Sequence, residues 1–262
     1  MPRLIRRRQP HTRGSETASR TSELERPAFY ALRPGGWRDL VTILHLPYTG
    51  WHLSYVALGA AAAPTLHGER LAATLGAFFL GVGVCAHALD ELNGHPLGTR
   101  LSDRTLIAIA AVSLAGAIGL GIVGVATASW SLAPFIAAGA FIVIAYNLEL
   151  FGGRFHTDFW FAAAWGAFPT ITSYWANAVT IRVPGLLVTL ACFWLSVAQR
   201  QLSTPVRRLR RRTVSVSGLQ TFDDGTVLEL SRANLAAPLD GALRAIALGL
   251  VLLATGLVIV RL

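Results

Sequence analysis

Seven runs of mostly apolar residues dominate this chain and limit what it can fold into. A run of about 20 such residues is long enough to cross the hydrocarbon core of a bilayer as a helix. Only 14% of the residues are charged, which is typical of an integral membrane protein. The sequence therefore predicts an all-α fold, a polytopic membrane helical bundle of about seven transmembrane helices, over residues 40–63, 71–92, 105–127, 132–150, 158–179, 184–200 and 241–260.

The basic residues indicate how the bundle is oriented. All 23 are arginines. Nine precede or begin the first run and eight lie between Arg200 and Arg244, whereas only Arg70, Arg182 and Arg261 fall in the opposite set of loops. Because cytoplasmic loops carry the excess of basic residues, we expect an integral protein of the cell membrane with its N-terminus in the cytoplasm. This topology accounts for the net charge of +9, so no nucleic-acid partner is predicted.

Composition divides the chain into four parts. Residues 1–36 are polar and rich in Arg, Ser and Thr, which predicts a disordered cytosolic tail. Residues 37–200 form the transmembrane core, 201–239 a cytosolic loop, and 240–262 a C-terminal transmembrane helix.

The loop contains two features of its own. The run "RRLRRR" at 207–212 is typical of a topology anchor, and such a run also attracts anionic headgroups or a diphosphate. After it, apolar and polar residues alternate around Asp223-Asp224-Gly225, which predicts a small β-hairpin with the two aspartates in its turn.

The stretch "CAHALDELNGHPLGTRLSD", residues 85–103, places polar chemistry directly after the second apolar run. If the helix continues through it, His87, Asp90, Glu91 and His95 share one face. Two carboxylates at a membrane boundary cost free energy unless they are paired, hydrated or bound to metal. The stretch therefore indicates a functional site, and the alternative is a helix end whose polar side chains reach interfacial water.

Two further polar groups are predicted near the same cavity. Residues 146–161 follow the fourth run on the same membrane side, and the first run carries a polar-aromatic stripe at helical spacing. A wet or ligand-lined cavity explains both groups, and packing against neighbouring helices is an equal alternative for the stripe. The residues are Tyr146, Asn147, Glu149, His156 and Asp158 in the first group, and His45, Tyr48, His52 and Tyr55 in the second.

Two stretches resemble the UbiA superfamily of intramembrane prenyltransferases. "DELNGHPLGTRLSD" is similar to the first aspartate-rich loop of that family, and "AYNLELFGGRFHTDFWFAAAWGAFPTITSYWA", 145–176, is similar to its tyrosine-bearing helix end and the helix that follows. The chain also departs from the family. Ala86, His87 and Gly94 replace expected Asn or Asp residues, and "AQRQLSTPVRRLRRR" has no carboxylate where the second aspartate motif belongs. The family usually has nine spans.

The resemblance implies a Mg²⁺-dependent prenyltransferase. Such an enzyme ionises an isoprenyl diphosphate and passes the prenyl group to a lipophilic acceptor, or cyclises it, while Mg²⁺ neutralises the leaving diphosphate. The residues expected to act in catalysis are Asp90, Glu91 and Tyr146. Those expected to hold Mg²⁺ are Asp90, Glu91, Glu149, Asp158 and His87. Those expected to bind substrate are Asn93, Arg100, Asn147, Arg154, His45, Tyr48, His52 and Arg200.

Two other functions fit the same residues. The spacing His87-x₃-Glu91-x₃-His95, together with His156 and Asp158, offers ligands suited to zinc or iron, which would make a membrane metalloenzyme. Alternatively, loss of the second aspartate motif indicates a non-catalytic protein that keeps the fold and binds a lipid or quinone.

Overall fold

Seven long helical rods, which alternate in direction along the chain, lie within residues 26–262, the part of the chain that the computed structural model describes. A short helix, α1 (Trp37–Ile43), precedes them. The rods are α2 (Leu46–Ala62), α3 (Gly68–Leu92), α4 (Asp103–Thr127), α5 (Trp130–Asn147), α6 (158–178), α7 (Val183–Arg211) and α8 (Arg232–Arg261). The fold is thus all-α apart from one small hairpin.

Two of the rods contain a π-helical turn. In α3 the π segment is Phe79–Ala86, and in α6 it is Ala163–Ala167. Such turns are rare and occur often at functional sites. Both segments contribute side chains to the cavities described below.

Five rods are long and apolar enough to cross a membrane, namely α3, α4, α5, α7 and α8. The prediction of an all-α bundle with membrane-spanning helices is therefore confirmed for these five rods. Rod α2 has 17 residues and is therefore about 25 Å long, somewhat short of a hydrocarbon core of about 30 Å. Rod α6 is interrupted by its π turn and carries polar side chains such as Thr170, Ser173 and Asn177. The length and hydropathy of the helices thus support five of the seven predicted spans.

The loop predicted at 201–239 is shorter in the structure. Rod α7 continues through the arginine run to Arg211, and α8 begins at Arg232. Ser203 and Val206 are both buried and lie three residues apart, so the buried face of the helix continues past residue 200. The remaining loop holds strands β1 (Leu219–Thr221) and β2 (Val227–Glu229), which pair antiparallel.

Aspartates occupy the turn of this hairpin. The backbone N–H of Thr226 donates to Asp224 Oδ1 at 2.8 Å, and this hydrogen bond lowers the pKa of the Asp224 carboxyl. Gly225 supplies the positive φ of 80° that the turn requires. Both features are those of a structural turn.

The segment that enters the bundle, residues 26–36, packs against it. A disordered tail was predicted over residues 1–36, and residues 1–25 of it lie outside the described part of the chain. From there on, Ala28 and Ala31 are buried and cluster with Leu97. In α1, the buried Asp39 accepts hydrogen bonds from the backbone N–H groups of Gly35 (2.9 Å) and Arg100 (3.1 Å).

The two ends of the bundle differ in charge. At one end, which we call the arginine-rich end, α7 and α8 are joined by an ion pair between Arg210 Nη2 and Asp240 Oδ2 at 2.5 Å, and both side chains are buried. At the opposite end, Arg261 donates to the carbonyl oxygen of Ala63 at 2.7 Å, and the N–H of His67 donates to Asn177 Oδ1 at 2.8 Å. Among described arginines, the opposite end carries Arg70, Arg182 and Arg261.

Rods α2 and α6 approach each other closely through a glycine. A Cβ placed on Gly59 would lie 2.2 Å from the carbonyl oxygen of Thr170. This contact is between two backbones, so no side-chain movement relieves it. Small residues allow helix backbones to come this near in membrane proteins.

We expect Gly59→Ala to lower the free energy of unfolding by about 1–3 kcal/mol, the usual cost of overpacking a core. The measurement is SDS-driven unfolding of the protein in detergent micelles. Gly119→Ala is the matched control, because it lies in α4 with no atom within 4 Å of the added methyl group. The packing of α2 on α6 would be refuted if both variants were as stable as the native chain.

Candidate functional site

A polar cavity of about 140 Å³ lies at the arginine-rich end of the bundle. It is enclosed by α2, α3, α5, α6, α7 and α8, together with the segment before α1. Eight of the predicted site residues line it, namely His45, Tyr48, His52, His87, Asp90, Tyr146, Asn147 and Arg200. The structure therefore brings together the stripe on α2, the polar end of α3 and the start of the 146–161 stretch.

Four histidines surround this cavity. The Nδ1 atoms of His52, His87 and His156 each contact a backbone carbonyl oxygen, at 2.8, 3.1 and 3.1 Å. A carbonyl only accepts, so each of these Nδ1 atoms carries the hydrogen. The His45 ring stacks on that of His87 with 4.0 Å between centroids. His45 has a left-handed backbone (φ 45°) at the junction of α1 and α2, a conformation that costs about 1–2 kcal/mol for a residue other than glycine.

Asp90 is the acidic residue that faces this cavity without a partner. Its side chain is partly buried and makes no hydrogen bond or ion pair with any described residue. The other carboxylate that lines the cavity, Asp240, is paired with Arg210. Asp90 is therefore available to a ligand.

Glu91 points the other way and is fully buried. Its carboxylate accepts three hydrogen bonds from the loop after α3. The donors are the N–H of Leu97 (2.9 Å), the N–H of Thr99 (2.9 Å) and the hydroxyl of Thr99 (2.8 Å). Glu91 was predicted to act in catalysis and to hold metal, but its contacts are those of a group that fixes a loop.

Five other predicted site residues lie outside the cavity. Asp158 is exposed and accepts from Arg200 Nε at 2.7 Å. Glu149 is half-exposed, with its Oε1 3.4 Å from Asn93 Nδ2. Arg100 and Arg154 are exposed. The group as a whole, Asn93, Arg100, Glu149, Arg154 and Asp158, sits on the rim of the arginine-rich end.

The donor set does not match a metal ion held from two sides by protein carboxylates. Within residues 26–262 there is no group of three or more His, Cys, Asp or Glu side chains placed to hold a metal. Glu91 is occupied by the loop, Asp158 by Arg200, and Glu149 turns outward. His95, the last member of the predicted His-x₃-Glu-x₃-His set, has a positive φ beyond the end of α3 and contacts Asp103 Oδ1 at 3.0 Å.

Arginines of α7, rather than a set of carboxylates, supply most of the charged groups that face the cavity. Arg200, Arg207 and Arg211 all line it. Their spacing of seven and four places them along one face of the helix. Of the three, only Arg200 was predicted to bind substrate; Arg207 and Arg211 belong to the run 207–212, which was predicted as a topology anchor that also attracts anionic headgroups or a diphosphate. The helical spacing is the signal that finds the other two, once the run at 207–212 is recognised as helix.

The segment before α1 closes the mouth of the cavity. The carbonyl oxygens of Arg26 and Pro27 accept from Arg210 Nη1 (3.3 Å) and Arg211 Nε (3.2 Å). The Tyr30 hydroxyl lies 3.1 Å from His45 Nδ1. Burial raises the pKa of the Tyr30 phenol well above its usual range, so the hydroxyl keeps its proton.

A second, mostly apolar cavity of about 360 Å³ lies between α3, α4, α5 and α6 and extends to Glu69 and Arg70 at the opposite end of the bundle. Its size is within the range of small-molecule sites. Val82 and Trp165 line both cavities, and each belongs to one of the two π segments. The two cavities are therefore neighbours across a boundary made by these two side chains.

Comparison of the chain with protein-family models, with curated proteins and with solved structures found no match.

We expect Glu91→Gln to lower the free energy of unfolding by about 1–3 kcal/mol, because an amide offers one acceptor oxygen where the loop supplies three donors. Unfolding in detergent micelles measures this change. Glu149→Gln, at a half-exposed side chain, is the control and should stay within about 0.5 kcal/mol of the native value. Equal stabilities for the two variants would show that Glu91 does not hold the loop.

Proposed function

We propose that this protein is a UbiA-like intramembrane prenyltransferase. Its substrate is an isoprenyl diphosphate, whose charged head occupies the polar cavity and whose tail occupies the apolar cavity. One observation carries the proposal: a cavity lined with arginine and histidine adjoins an apolar cavity inside the bundle, and Val82 and Trp165 line both. A ligand that fills both compartments must be an amphiphile with an anionic head and an apolar tail.

The resemblance in sequence narrows the class of amphiphile. Asp90 and the Pro96-Leu97-Gly98-Thr99 turn resemble the first aspartate-rich loop of the UbiA superfamily. Asp90 faces the polar cavity, as a residue acting on the diphosphate would. The order of the apolar runs from residue 40 to about 200 also resembles the order of spans in that family.

The proposed reaction breaks the bond between the allylic carbon and the diphosphate oxygen. The diphosphate leaves with the electron pair, and positive side chains stabilise its growing charge. A nucleophilic atom of the lipophilic acceptor then bonds to the allylic carbon and gives up its proton to Asp90. Tyr146 and Trp165, whose ring centroids are 5.4 Å apart, provide π faces for the transient cation.

In this proposal all seven rods cross the membrane, and the arginine-rich end is cytoplasmic. The distribution of arginines supports the orientation, since three of the described arginines lie at the opposite end, Arg70, Arg182 and Arg261. The contacts at both ends support the count, because α2 and α6 reach the same two ends of the bundle as the five longer rods.

A second candidate function is binding without turnover, of a lipid or a quinone. The small number of free carboxylates in the polar cavity favours this function. Asp90 is the unpaired carboxylate that lines the polar cavity, while Glu91 holds a loop. Release of diphosphate separates this function from the first, because a binding protein leaves the substrate intact.

The topology predicts the labelling of single cysteines that flank the two shorter rods. Arg38→Cys and Thr65→Cys flank α2, and Arg154→Cys and Ile181→Cys flank α6; all four positions are exposed. In right-side-out membrane vesicles, an impermeant maleimide should label the cysteines at 65 and 181. In inverted vesicles it should label those at 38 and 154. Labelling of both members of a pair from one side would show that the rod between them does not cross.

We expect Asp90→Asn to reduce formation of the prenylated acceptor by at least about 100-fold, the usual loss when a group that takes a proton is removed. The assay uses farnesyl and geranylgeranyl diphosphates with purified protein, and a native membrane extract supplies the acceptor. Asp223→Asn, in the exposed hairpin turn, is the control and should keep native turnover. Absence of release by the native chain with every substrate would favour binding without turnover.

A further inference from the structure

The arginine face of α7 carries positive charge that protein carboxylates do not balance. Four arginines line the polar cavity, Arg200, Arg207, Arg210 and Arg211, against two aspartates, Asp90 and Asp240. One of the arginines is neutralised, because Arg210 and Asp240 form their own buried pair. Arg200 pairs with Asp158 outside the cavity.

Arg207 is the least compensated of the four. It is partly buried, and its one hydrogen bond, at 3.5 Å, joins Nη2 to the hydroxyl of Thr204 on its own helix. It forms no ion pair with any carboxylate among residues 26–262. Arg211 is bonded to the carbonyl oxygen of Pro27 at 3.2 Å, which leaves its charge unpaired. Among the described residues, Asp90 is the one carboxylate lining the cavity that is left to balance Arg207 and the exposed Arg211, so a positive charge remains, and a partly buried charge costs free energy unless an anion joins it.

Buried polar atoms around the same cavity also lack partners. His45 Nε2 and the Tyr146 hydroxyl are buried and make no hydrogen bond to any described residue. Both residues line the cavity, and an imidazole N–H and a phenol O–H can each donate to an anion. Buried polar atoms in native proteins nearly always have a partner. Together with the arginines, these atoms describe a site built for a polar, negatively charged group.

We propose that Arg207 and Arg211 bind the diphosphate head directly, without a divalent cation. This inference rests on the proposed function and departs from the Mg²⁺ dependence that the resemblance implies. Guanidinium groups donate two parallel hydrogen bonds to phosphate oxygens and keep their charge at every physiological pH. The arginine face of α7 thus occupies the place in the chain where the second aspartate motif would stand, and neutralises the diphosphate in its stead.

The test measures binding of radiolabelled farnesyl diphosphate to the purified full-length protein in detergent, with excess MgCl₂ and with excess EDTA. We expect the Kd to change by less than about twofold between the two conditions, since charge-assisted hydrogen bonds to arginine replace the metal. Loss of binding in EDTA would overturn the metal-free site and leave the proposed function standing. Absence of binding in both conditions would overturn both proposals.

Arginine variants identify the groups that bind. Arg207→Gln and, separately, Arg211→Gln should each weaken binding by about tenfold or more, as expected for the loss of a hydrogen bond to a charged group. Arg208→Gln is the matched control, because Arg208 is exposed on the same helix and does not line the cavity; its Kd should stay within about twofold of native. Native affinity in both cavity variants would overturn the assignment to arginine.

Competition distinguishes recognition of the head from recognition of the tail. Inorganic diphosphate should displace the radiolabel in EDTA, and farnesol should do so far less effectively. Equal displacement by farnesol would show that the prenyl tail, and not the diphosphate, provides most of the binding free energy, and would overturn the anion site. Size-exclusion profiles identify any variant that fails to fold, and the two cavity variants provide independent readings.

Discussion

The buried carboxylate of Glu91 is the interaction on which the arginine-rich end depends. An ionised carboxylate inside a protein is tolerated only when hydrogen bonds satisfy it, and the loop after α3 supplies three. The loop so held presents the N–H of Arg100 to Asp39, which anchors α1. Through α1, the segment at 26–36 is held over the cavity, where Tyr30 meets His45. One satisfied charge thereby organises the mouth of the site.

The arginines of α7, across the polar cavity from the end of α3, are placed by a different physical effect. Arginine side chains near the end of a membrane helix extend apolar stems along the bundle and bring their guanidinium groups to the polar boundary. On α7, Arg207 lines the internal polar cavity, whereas Arg210 forms an ion pair with Asp240. Adjacent residues of one basic run thus serve different purposes. Arg210 joins α7 to α8, and its neighbours on the cavity face give that cavity a positive potential.

Sequence patterns predict some of these features and miss others for physical reasons. Spans such as α4 follow from hydropathy because membrane thickness sets the length of a helix. The extension of α7 was missed because a count of charges at 207–212 ignores their helical spacing. Which of Asp90 and Glu91 faces the cavity depends on the loop that captures Glu91, and no local pattern encodes that contact. Glu149 has a positive φ of 49°, so the chain turns there and its carboxylate lies on the rim.

The π turns explain how Asp90 comes to face the cavity after a long apolar run. A π turn adds a residue to one turn of helix, and each residue advances an α-helix by about 100°. The segment Phe79–Ala86 therefore rotates everything after it, including His87 and Asp90, relative to the regular helix Gly68–Phe78. The first part of α3 presents Ala73, Ala77 and Phe78 to the apolar cavity. The part after the π turn presents polar groups to the neighbouring compartment. A distortion within one helix thus allows a single rod to line both an apolar and a charged compartment.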